Sequence, residues 1–67
     1  MELMVNGKPM ELADGTTAAG LLERLQIHPE RVAVEVNLAI VKRGQLPSTA
    51  LKPGDQVEIV QFVGGGA

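Results

Sequence analysis

Sixty-seven residues hold one core and no more, and a chain of this size buries only about 60% of the surface that its unfolded form exposes. Hydrophobic residues make up 45% and charged residues 21%, a globular balance, and a net charge of −2 leaves no basic stripe to meet phosphates. The absence of cysteine excludes disulfides and thiolate chemistry, a single histidine (His28) excludes a multi-histidine metal site, and one phenylalanine without Trp or Tyr removes the stacking platform of single-strand nucleic-acid binders.

The first predicted element is a hairpin. Asn6-Gly7 suits a type I′ turn, whose two central residues both need positive φ. A turn there pairs Val5 with Lys8, Met4 with Pro9, Leu3 with Met10 and Met1 with Leu12, and gathers Met1, Leu3, Val5, Met10 and Leu12 on one apolar face. Pro9 then sits in a non-hydrogen-bonded pair, and its missing N–H marks residues 9–12 as an edge strand.

Asp14-Gly15 predicts the next turn, and Thr16 or Thr17 the cap of a helix. Ala18, Leu21, Leu22 and Leu25 recur at helical spacing, with Glu23, Arg24 and Gln26 opposite. Gly20 lies inside this helix and costs roughly 0.5–1 kcal/mol relative to alanine unless close packing against the sheet recovers it. Pro29 disfavours helical geometry at His28, which places the helix end near Gln26.

From Val32 the period is two: Val32, Val34 and Val36 point one way, and Ala33, Glu35 and Asn37 the other. A turn at Asn37-Leu38 leads into a short strand over residues 39–42. Residues 43–55 read as irregular, with one helical turn starting near Pro47-Ser48 and a tight turn at Pro53-Gly54-Asp55. The run Val57–Val63 is apolar at nearly every position, which suits a central strand covered on both edges and most of both faces. Strand, strand, helix and further strands, with the last one central, make a β-grasp arrangement of the α+β class, its crossover expected to be right-handed.

Residues 64–67, Gly-Gly-Gly-Ala, follow that strand directly. One reading is a flexible end or the stub of a linker. The other is a thread without side chains, able to pass down a narrow channel and offer its carboxylate to chemistry elsewhere. A carboxylate must first be activated, and an acyl-adenylate formed with ATP is the obvious route.

Taken in order, Asn6-Gly7, Asp14-Gly15-Thr16-Thr17 before Leu21-Leu22, Val32–Asn37, Ile40-Val41-Lys42-Arg43, Leu51, Gly54–Ile59 and the glycine tail resemble the ThiS family. These are the bacterial sulfur carriers of thiamine biosynthesis, ubiquitin-like β-grasp proteins related to the MoaD-type carriers. The resemblance implies a mixed sheet of four to five strands with one main helix and a central C-terminal strand. Residues 1–63 would form the domain and 64–67 a flexible tail. It also implies that Gly66 is adenylated by an E1-like (ThiF-like) enzyme that consumes ATP, then converted to a thiocarboxylate with sulfur from a cysteine desulfurase. Thiazole synthase (ThiG-like) would take that sulfur. Gly64 and Gly65 would be the threading segment, and the chain would be a protein cosubstrate rather than an enzyme, with no bound cofactor.

Two departures bear on this. Ala67 lies beyond the expected terminal glycine, as in carriers trimmed before use, so sulfur delivery to cysteine, methionine or molybdopterin synthesis stands as an alternative. Leu46 stands where many relatives have an aromatic residue, a matter of packing.

Elsewhere the bland readings lead. His28 reads as a solvated loop residue, and Lys42-Arg43 as a solvated face ahead of a basic spot for a partner. Ile40, Val60 and Phe62 share the face that the helix leaves open; they form either a partner-docking patch or a second small core beneath residues 43–55. No general base, nucleophile or metal set supports catalysis by the chain itself, so the rival to a carrier is a passive interaction module on the same scaffold. No apolar run approaches 18 residues and no leader pattern opens the chain, which sets the expectation of a cytoplasmic domain without membrane contact.

Overall fold

The computed structural model describes residues 1–62. It begins with β1 (Glu2–Val5) and β2 (Lys8–Glu11), paired antiparallel in the expected register of Val5 with Lys8, Met4 with Pro9 and Leu3 with Met10. Asn6 and Gly7 have φ of 51° and 81°, the two left-handed positions of a type I′ turn. Leu3 and Leu12 are buried, with Met1, Val5 and Met10 packed against them, so the apolar face reads as the alternation requires.

Helix α1 spans Ala18–Arg24, and Thr17 caps it by accepting the Gly20 N–H at 3.1 Å. The helix stops sooner than Pro29 alone would require. Gln26 takes a left-handed φ of 60°, its N–H bonds the Glu23 carbonyl, and the Ile27 N–H reaches back to the Leu22 carbonyl at 2.9 Å. This is a Schellman ending built on glutamine instead of glycine. It turns Leu25 out to 37% exposure, correcting its place in the apolar stripe, and packs Ile27 on the core instead. Gly20 likewise meets the Thr16 and Thr17 side chains at 3.3 and 3.5 Å, and not the sheet. Replacing Gln26 by glycine should relieve the left-handed backbone and raise stability by about 0.5–1 kcal/mol. Thermal unfolding would register this as a Tm about 3–6 °C higher.

A 3-10 turn at Pro29–Arg31 leads into β3 (Val32–Val36), which a two-residue turn joins to β4 (Ala39–Val41). Residues 43–55 are more ordered than the sequence suggests. A 3-10 helix runs over Arg43–Ser48, starting four residues before Pro47. Its following chain is bonded to the start of α1 through Ala18 N–H to Thr49 O and Leu51 N–H to Thr16 O. Leu46 and Leu51 thereby join the single core with Ala18, Leu21, Leu22, Val32, Val34 and Val57. Among the described residues no second core forms beneath this segment.

β5 (Gln56–Gln61) is the middle strand of five, in the order β2-β1-β5-β3-β4, parallel to β1 and antiparallel to β3. The mixed sheet, its one main helix and the central last strand are the expected β-grasp. Only one face of β5 is covered, however. Val57 and Ile59 face the core, while Val60 is 52% and Phe62 58% exposed, so apolarity at nearly every position does not mean burial on both sides here.

Candidate functional site

The two expected parts of a functional site lie at one end and on one face of β5. Beyond Gln61 the chain continues along the sheet, with the Phe62 N–H donating to the Arg31 carbonyl at 3.0 Å. Gly64, Gly65, Gly66 and Ala67 lie outside the described residues.

The open face is assembled by register. Val60 pairs with Ala33, Glu58 with Glu35, and Glu35 in turn with Ile40, so these side chains share one side of the sheet. Ile40 and Val60 stand two strands apart with Ala33 and Glu35 between them. Ile40 is 71% exposed, and with Val60 and Phe62 it leaves an apolar patch uncovered. The structure therefore places all three predicted residues on one free face. Lys42 and Arg43 are exposed beyond β4, and His28 is exposed before the 3-10 turn.

Sequence reasoning missed how the two hairpin turns hold the central strand. The Asn6 N–H donates to Val57 O at 2.8 Å, and its side-chain Oδ1 accepts the Ile59 N–H at 2.7 Å. At the other hairpin the Asn37 N–H donates to Gln56 O, and its Oδ1 accepts the Gln56 N–H at 2.9 Å. Each asparagine fills the first position of a left-handed turn and finishes a ladder that the strand backbone has left. The signal available in the sequence was asparagine at the first position of both turns.

Asn37 also ties in Asp55. Its Nδ2 donates to Asp55 Oδ1 at 2.9 Å, while the Lys52 N–H donates to Oδ2 at 2.8 Å, closing the turn that carries Gly54 at φ 82°. Asp55, 8% exposed, thus links the approach to β5 with the β3–β4 hairpin. Asp55→Ala would orphan both donors and should cost about 2 kcal/mol. A Tm about 10 °C lower by calorimetry is the expected reading.

At the far edge, burial of the Met1 ammonium acts to lower its pKa. The hydrogen bond to Asp14 and the charges of Glu11 and Asp14, at 3.5 and 3.3 Å, outweigh it and hold the group above its ordinary value. Among the described residues no group of three or more His, Cys, Asp or Glu could hold a metal ion, and no helix is long and apolar enough to cross a membrane.

A model of the ThiS family matches residues 3–66. The chain belongs to the ThiS family. It is 33% identical to the sulfur carrier protein ThiS of Escherichia coli over 66 residues, covering 98% of this chain and all of that one. The crystal structure of the thiamine biosynthesis protein ThiS from Geobacter metallireducens superposes with a TM-score of 0.86 at 39% identity, covering 98% of this chain and all of that one. A thiazole synthase of Magnetococcus marinus is 47% identical over 66 residues. A second, from Paramagnetospirillum magneticum, is 39% identical over 67. The match takes in 98% of this chain in the first case and the whole of it in the second. The chain spans only 20% and 21% of those two proteins.

Proposed function

We propose that the chain is a sulfur carrier for thiazole formation in thiamine biosynthesis, activated at Gly66. The observation that carries this reading is the family match, which extends through the tail glycines and ends at Gly66, leaving Ala67 outside it. A carboxylate oxygen of Gly66 attacks the α-phosphorus of ATP on an E1-like enzyme, and pyrophosphate leaves. A sulfur nucleophile, its sulfur drawn from a cysteine desulfurase, then displaces AMP from the acyl-adenylate and leaves a thiocarboxylate. The β-grasp body serves as handle and address label, and the reactive atom is supplied by the backbone terminus, so the chain itself needs no catalytic side chain or bound cofactor. Thiazole synthase is the acceptor, a reading supported by the two relatives of that name that carry a stretch like this chain.

The test is intact mass of the protein isolated from its own cells and incubated with ATP, sulfide and the cognate E1-like enzyme. A chain ending at Gly66 that gains the oxygen-to-sulfur difference is the expected result, with Ala67 removed beforehand. The same gain on a chain still ending in Ala67 would show that the extension is tolerated. A chain truncated after Gly66 that stays unchanged would overturn the carrier reading in favour of a passive interaction module.

A further inference from the structure

The open face of the sheet carries charge of one sign. Strand register puts Glu2, Glu11, Glu35 and Glu58 on it beside Ile40 and Val60. None of the six basic residues takes an open-face strand position: Lys8 is in register with Val5 on the core side, and the others lie outside the strands. Glu11 has the Met1 ammonium at 3.5 Å. Glu35 and Glu58 are directly opposed across β3 and β5, and among the described residues neither has a Lys or Arg within salt-bridge distance. Like charges set opposite one another in a sheet destabilise it.

A second local cost lies alongside. Leu38, the second residue of the β3–β4 turn, has φ 72°, a region that leucine rarely adopts, and is 88% exposed. With Asn37, Gln56 and Glu58 it bounds a hollow of about 310 Å³. A glycine would fill the same turn without strain, and an exposed leucine gains nothing from the fold.

Resting on the carrier reading above, we infer that this face seats a protein partner with an apolar centre and an arginine or lysine rim. The apolar centre covers Ile40, Val60 and Phe62, Leu38 inserts as a knob, and a basic side chain of the partner reaches the Glu35–Glu58 pair. Charge argues against a second copy of the chain as occupant. Face-to-face packing about a two-fold axis would set these glutamates against their own copies with no base between them.

The experiment measures association of the full chain with thiazole synthase from the same cells, by surface plasmon resonance at about 50 and about 300 mM salt. The double variant Glu35→Gln/Glu58→Gln should associate about 10-fold more slowly at the lower salt and lose most of the salt dependence. Glu23→Gln on α1 should change neither. Leu38→Gly should unfold at higher urea than the parent and yet bind about 10-fold more weakly, a combination that a merely structural residue would not give. Wild-type association by the double variant, no binding by the parent chain, or sedimentation showing a face-to-face dimer would overturn the inference. Unchanged affinity in Leu38→Gly would overturn the knob. Intact-mass measurement of Gly66 sulfur loading on the same variants keeps the two readings apart. A double variant that loads and docks normally removes the docking face alone. A parent that docks with the expected salt dependence and never loads removes the carrier role alone.

Discussion

Gly65→Leu should leave the fold untouched and stop sulfur transfer. Among the described residues the buried core contains none beyond Val57, and the last side chain packed against it is Ile59, so a side chain added at position 65 has nothing in that core to disturb. Its effect on stability should stay within about 0.5 kcal/mol, as for other surface changes. Transfer is another matter. If the terminus must reach an activating site through a channel sized for glycine, an isobutyl group holds the Gly66 carboxylate away from the reacting phosphorus. A misplacement of about 1 Å is enough to lower the rate about 100-fold. Gly65→Ala should fall between the two. The measurement pairs a urea melt with the rate of thiocarboxylate formation by intact mass. Loading of the Gly65→Leu chain at the parent rate would refute threading and leave activation at Gly66 standing, so the two parts of the proposal separate.

The legible parts of the sequence are those where local chemistry and tertiary structure agree. Asn6-Gly7 specifies its hairpin because only a left-handed pair of residues closes a two-residue loop, and the observed φ values of 51° and 81° are that pair. Thr17 announces the start of α1 for a similar reason. The end of α1 is hidden because the left-handed residue is Gln26, and glutamine carries no signal for that conformation. Leu38 is a parallel case, since its position reads as a turn but its strain is not visible. The open face is half legible. Alternation puts Ile40, Val60 and Phe62 together, but whether something covers them depends on where residues 43–55 fold, and that is settled at a distance by Leu46 and Leu51. The asparagine and Asp55 contacts join residues as many as 53 apart, and no pattern of period two or 3.6 encodes them.

Leu21→Ala should remove most of the stability of the domain, and Ile40→Ala almost none. Leu21 is fully buried at the centre of the face that α1 turns to the sheet, among Leu3, Leu22, Val34 and Val57. Deleting its outer carbons loses their transfer free energy and leaves a cavity in a core too small to close over it, at a cost of about 3–4 kcal/mol. A domain of this size has roughly 3–10 kcal/mol in all, so the variant should sit near its unfolding midpoint or beyond it. With a urea slope of about 1 kcal/mol/M, the midpoint should drop by about 3 M. Ile40 loses a side chain of similar size, but from a position already 71% exposed, and should move the midpoint by less than about 0.5 M. The contrast decides what the open face is for. An equal loss at Ile40 would make the exposed patch part of the structural core, with residues 43–55 folding over it in solution. A neutral Ile40→Ala means that the fold does not need these side chains, so their apolar character has to be explained by something that covers them from outside the chain.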